Sequence, residues 1–149
     1  IPAAVALSGK TAVVTGGCGE LGAELALLLV RYGAGVLLGC RPGPVADQVA
    51  GQLAVAEGGG WAEVLPLELD SFTSVRRFAA AAAAEAGDNG LNIIVHSAAT
   101  KEGCKLTMDG HELSTQVNYL SPYLLNRLLQ PSLQRGFGRA VHVLCDAGL

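Results

Sequence analysis

The sequence predicts an α/β fold, a doubly wound parallel sheet of five strands with helices on both faces. Short β-rich runs, apolar on both of their faces, alternate with longer stretches of helical periodicity. Each helical stretch ends at a glycine or a proline, and a glycine-rich turn follows the first strand directly. Because a crossover between parallel strands is right-handed, the successive helices fall on both faces of the sheet.

The strands are expected at Thr11–Thr15, Gly35–Cys40, Ala62–Leu67, Asn92–His96 and Ala140–Cys145, each apolar enough to be buried. The first helix is expected over Leu21–Tyr32, ended by Gly33, and the second over Val45–Glu57, ended by Gly58-Gly59-Gly60. The third runs over Ser74–Ala86 to Gly87, its alanine run Ala79–Ala84 combining high helix propensity with side chains small enough to pack closely on a sheet. The fourth, His111–Leu129, is expected to stop near Pro131. Neither an internal repeat nor an interdomain linker is visible, so residues 1–149 read as a single domain.

Half of the 149 residues are hydrophobic and 15% are charged, a composition that supports a packed core and excludes disorder. A net charge of −3, with no Lys/Arg-rich run, argues against nucleic acid or an anionic membrane surface as partner. No apolar run reaches the roughly 20 residues of a membrane span. Cys18, Cys40, Cys104 and Cys145 are scattered and form no C-x-x-C pair. Such spacing argues against a zinc site, a redox dithiol or a disulfide framework, and points to a reducing intracellular compartment, cytoplasm or organelle interior.

The segment Thr15-Gly16-Gly17-Cys18-Gly19-Glu20-Leu21-Gly22 contains both G-x-G-x-x-G and T-G-x-x-G-x-x-G between a strand and a helix. Amides at such a helix start, with no Cβ in the way, can cradle a pyrophosphate, and the motif gains force from its place in an opening βαβ unit. At the end of the second strand an acidic residue would accept the ribose hydroxyls of NAD, whereas arginine accommodates the 2′-phosphate of NADP. Cys40 holds the acidic position and Arg41 follows it, so NADP(H) is the expected dinucleotide.

From Lys10 onward the chain resembles the short-chain dehydrogenase/reductase family, a likeness that runs in step through Cys40-Arg41, Leu65–Ser71, Val95–Ala99, Val117–Leu125 and Gly138–Gly148. It implies a Rossmann fold with strand order 3-2-1-4-5 and hydride exchange between NADPH and a carbonyl or alcohol. It also implies that Glu68 and Leu69 meet the adenine, with Glu68 in place of the usual aspartate. Ser97, Ala98 and Ala99 would border the cofactor ribose in the segment where the family has Asn-Asn-Ala-Gly. Glu20 stands where the single-domain branch of the family has glycine.

Asn118 matches the helix asparagine whose backbone carbonyl, in the family, holds a proton-relay water. Pro122 lies four residues on and has no N–H to return to that carbonyl. Cys145 takes the place of the substrate-binding serine, a thiol donating more weakly than a hydroxyl. His96 reads as a hydrogen-bonded structural histidine at a strand end rather than a catalytic one. The family's Tyr-x-x-x-Lys pair is absent, for neither Lys101 nor Lys105 has a tyrosine four residues before it.

Two functional readings follow. One is an NADP(H)-binding oxidoreductase that does not turn over as this chain alone. The other is a non-catalytic subunit of a larger assembly, favoured by the departures at His96, Ser97, Ala99 and Cys145. In both, the apolar Val141, Val143 and Leu144 of the last strand are expected to be covered by further sequence, another subunit or a second chain.

Overall fold

A computed structural model describes residues 6–144. Five parallel strands form one sheet in the order β3-β2-β1-β4-β5, as the family likeness implies. They are β1 (Thr11–Thr15), β2 (Gly35–Cys40), β3 (Trp61–Pro66), β4 (Ile93–His96) and β5 (Arg139–His142). Helices α1 (Glu20–Arg31), α2 (Pro44–Ala54) and α3 (Phe72–Ala86) connect the first four. Between β4 and β5 a short helix α4 (Leu113–Thr115) passes through a π-helical turn, Gln116–Leu120, into α5 (Ser121–Arg135).

Alternation along the central strands divides the core in two. Val13, Leu37 and Ile94 face α3 and α5 with Val75, Phe78, Leu125 and Leu129, whereas Val14, Val36, Leu38 and Val95 pack with Ala26, Val30, Val49 and Leu53 of α1 and α2. A strand serving two cores must be apolar at every position, and β2 is buried throughout.

Strands β3 and β5 depart from the expected burial. Both are sheet edges: β3 mixes exposed and half-buried residues with none buried, and all four residues of β5 are exposed. An apolar run distinguishes strand from loop but not an interior strand from an edge. The helix expected over His111–Leu129 is corrected at both ends. It starts at Leu113, and it continues through Pro131 to Arg135 because burial of Leu125, Leu129 and Ser132 outweighs the one missing N–H. Helix α5 closes at Phe137, whose left-handed φ of 50° lets the Gly138 amide donate to the Leu133 carbonyl at 2.8 Å.

Candidate functional site: a cleft over the carboxyl ends of the strands

The sheet order reverses between β1 and β4, and a crevice opens there above the carboxyl ends of the strands. Its volume is about 930 Å³. The glycine loop, the end of β2 with Arg41, the segment Leu67–Ser71 after β3 and the segment Ser97–Thr100 after β4 form its floor and inner wall.

The turn after β1 is built on contacts that only glycine allows. Gly16 has φ 64°, and a Cβ there would lie 2.9 Å from the backbone of Ala98. A Cβ on Gly22 would come within 2.2 Å of the Gly16 carbonyl oxygen, so α1 starts hard against the loop. The Gly17 amide donates to the Gly39 carbonyl and the Gly19 amide to that of Gly16. The opposite turn is pinned by Ser97, whose hydroxyl donates to the Thr15 carbonyl at 2.6 Å.

Of the residues expected to meet a dinucleotide, Gly16, Cys18, Gly19, Arg41, Glu68, Leu69, Ser97, Ala98 and Ala99 line this cleft. Thr15, Gly17, Glu20, Leu21 and Gly22 do not. Thr15 and Gly17 are buried beneath the loop, and Gly22 is buried in the first turn of α1. Glu20 is the exposed first residue of α1, where a carboxylate complements the helix dipole, and Leu21 is exposed on the same turn. Cys145 lies outside the described residues.

The outer wall includes the segment 105–113, whose last residues the sequence places at the start of the helix expected over His111–Leu129. Residues 105–113 fold back on themselves: the Thr107 amide donates to the His111 carbonyl, and the Leu113 amide to that of Lys105. Fully buried Gln116 holds this segment from within, accepting from the Thr107 hydroxyl and donating to Asp109 Oδ2 at 2.7 Å. The same Asp109 oxygen accepts the Phe72 amide at the start of α3, and that bond, ahead of the one from Gln116, holds its carboxyl below the usual carboxylate range. Leu106 and Met108 remain exposed at the cleft mouth. The Asp109-Gly110 pair was the available turn signal.

Charge at this rim is mixed. Glu102 pairs with Lys105, whose hydrogen bond is the main cause of its lowered carboxyl pKa, and Arg41 adds to the effect. Asn118 faces the same region, its side-chain amide both accepting from the Thr100 amide and donating to the Thr100 carbonyl at 2.8 Å. It sits in the π-helical turn that precedes Pro122.

Beneath Ser97, His96 is buried and donates from Nε2 to Asn126 Oδ1 at 2.9 Å. Asn126 in turn donates to His142 Nε2, and the two imidazoles stack with centroids 4.5 Å apart. Nδ1 of His96 has no hydrogen-bond partner. A second ring proton would point at nothing, so burial lowers its pKa against the smaller opposing effect of Asn126. This is the structural histidine that the sequence led us to expect.

The cysteines require a correction. Cys18 and Cys40, 22 positions apart, form a disulfide with Cα atoms 5.6 Å apart. The scattered spacing concealed this, because contact between them depends on β1 and β2 lying side by side with Thr15 opposite Gly39. Cys104 is free and exposed. Among the described residues no helix is long and apolar enough to cross a membrane, and no cluster of His, Cys, Asp and Glu has the makings of a metal site.

Comparison with known proteins agrees with this geometry. Dehydrogenase/reductase SDR family member 13 of Bos taurus and of Homo sapiens are 36% and 37% identical over 141 residues, covering 95% of this chain. The chain spans 37% of the length of these relatives. An uncharacterised oxidoreductase of Schizosaccharomyces pombe is 39% identical over 96% of the chain and 44% of its own length. Among solved structures, the Pseudomonas aeruginosa RhlG/NADP active-site complex superposes with a TM-score of 0.73 at 28% identity, covering 91% of this chain and 52% of that one. A sequence profile described as short chain dehydrogenase matches residues 10–149, nearly the whole sequence, and its dinucleotide-binding fold is the one built here from β1 to β5. The chain therefore belongs to the short-chain dehydrogenase family.

Proposed function

We propose that this chain is the NADP(H)-binding part of a carbonyl/alcohol oxidoreductase. The observation that carries the reading is the cleft itself, in which a glycine loop closed by backbone contact, the exposed Arg41 and the Ser97–Ala99 turn face one space. The cleft-lining part of the glycine loop, Gly16, Cys18 and Gly19, would receive the pyrophosphate, and the Arg41 guanidinium the 2′-phosphate. Glu68 and Leu69 would border the adenine, and Ser97, Ala98 and Ala99 the nicotinamide-side ribose. When bound, the dinucleotide supplies or takes up a hydride. The Asn118 carbonyl would hold a relay water, and Cys145 would polarise the substrate carbonyl.

With no Tyr-x-x-x-Lys pair in its sequence, the chain by itself binds but does not turn over. Val141 and Leu144, 47% and 86% exposed, form an apolar edge that a further segment or a partner chain would cover. A second reading, a non-catalytic subunit retained for its surface, draws support from His96, which stands at a family motif position yet is locked to Asn126 and His142.

Titration of the purified chain with NADPH and NADH tests the proposal. Saturable binding with NADPH preferred is expected, and Arg41→Ala should weaken NADPH by about tenfold or more, the worth of a hydrogen bond to a charged group, while sparing NADH. Absence of binding by either dinucleotide would leave the subunit reading; preference for NADH would overturn the role of Arg41.

A further inference from the structure

The cofactor reading gives no role to the bond between Cys18 and Cys40, although it crosses the cleft wall beside Arg41. Cys40 stands at the strand end where this fold receives the adenosine ribose, and it is only 2% exposed. Cys18, in the middle of the glycine loop, lies on it. While bonded, the two sulfurs hold no proton to donate, and the loop that must shape itself to a pyrophosphate is fastened to β2. Once released, the half-buried Cys18 side chain is free to turn away from Cys40 about its own Cα–Cβ bond.

We propose that Cys18 and Cys40 are a reversible thiol pair governing dinucleotide affinity, the disulfide fastening the glycine loop to the end of β2 and the dithiol leaving that loop free to adjust to the dinucleotide. The inference rests on the dinucleotide reading of the cleft. Its co-reactant is a small-molecule disulfide such as oxidised glutathione. The half-buried Cys18 thiolate, near the amides that open α1, attacks that disulfide and expels one thiolate, leaving a mixed disulfide. The buried Cys40 thiolate then attacks the Cys18 sulfur and expels the second. Two protein thiols are oxidised, one glutathione disulfide is reduced to two thiols, and the two protons pass to the leaving thiolates.

The test equilibrates the chain in glutathione buffers from reduced to oxidised. The Cys18–Cys40 bond is followed by alkylation and peptide mapping, which separates it from Cys104, and NADPH affinity is measured in each buffer. About tenfold weaker NADPH binding is expected in the oxidised form, equivalent to losing one good contact. Cys18→Ser, which cannot form the bond, should lose the dependence of NADPH affinity on the buffer, whatever its own affinity is. By linkage, saturating NADPH should shift half-oxidation toward more oxidising buffer by the same factor. The proposal is overturned if the bond never forms, or if it forms with NADPH affinity unchanged or increased. If the fully reduced chain, its thiols counted free, binds neither NADPH nor NADH, the dinucleotide reading itself has failed.

Discussion

Two glycines, each inside a helix, should respond to alanine with opposite signs. In an ordinary helix interior the exchange gains up to about 1 kcal/mol of propensity. Gly51 of α2 has nothing within 4 Å of an added Cβ, so Gly51→Ala should raise stability by nearly that amount. At Gly22 the same methyl would lie 2.2 Å from the Gly16 oxygen, and 2.9 Å from both the Gly16 carbonyl carbon and the Gly17 Cα. Carbon–oxygen contacts begin near about 3.3 Å, so α1 must retreat by about 1 Å from a loop made of backbone that has no side chain to rotate away. Overpacking of that kind costs about 1–3 kcal/mol, which exceeds the propensity gain. For a chain of this size, each kcal/mol moves the melting temperature by about 2–4 °C. Thermal unfolding with parallel NADPH titration should therefore show Gly51→Ala melting higher with unchanged binding, and Gly22→Ala melting lower with binding weakened. If both variants melt higher and bind alike, the loop is not closed in the way described.

Further outcomes can be checked directly. His96 has its pKa lowered mainly by burial from the reference value of 6.5, so the unfolded chain takes up its proton first as pH falls. Its contribution is whole above about pH 6.5 and is lost as pH drops through the lower folded value. Urea unfolding of the chain and of His96→Gln at several pH values should show that slope flattened in the variant, and equal slopes would refute the role given to burial. Phe137 is 95% exposed in a left-handed conformation, so Phe137→Gly should stabilise by about 1 kcal/mol in the same assay; a loss would show that its ring packs. Gln116→Leu leaves Asp109 and Thr107 without their buried partner and should destabilise by about 1–3 kcal/mol. Faster amide exchange confined to residues 105–113 would confirm the cause, and unchanged exchange would exclude it.

The bounds of β1 and β2 were legible to the residue, because strands that serve two cores are apolar at every position and stop abruptly at glycine or Arg41. The glycine loop was equally plain, since its residue types follow from backbone contact alone. Burial of β3 and β5 was not, for position in the sheet is a property of topology and not of a six-residue run. Pro131 misled for a related reason: a proline removes one hydrogen bond locally, whereas the packing that carries α5 past it comes from Leu125 and Leu129 against another helix. The Cys18–Cys40 pairing and the Asp109–Gln116 hook depend on which distant segments become neighbours. Spacing along the chain contains no trace of either.

The Asp109 hook separates two duties that a binding loop usually combines. Phe72 and Gln116 grip it from the protein side, while Met108, one residue away, protrudes wholly into solvent. Shape at the cleft entrance is thus maintained by Phe72, Asp109 and Gln116, none of which lines the cleft. The tip is left free to vary: exchanging Met108 for a bulky or charged group would alter what the entrance admits while the scaffold behind it keeps its stability.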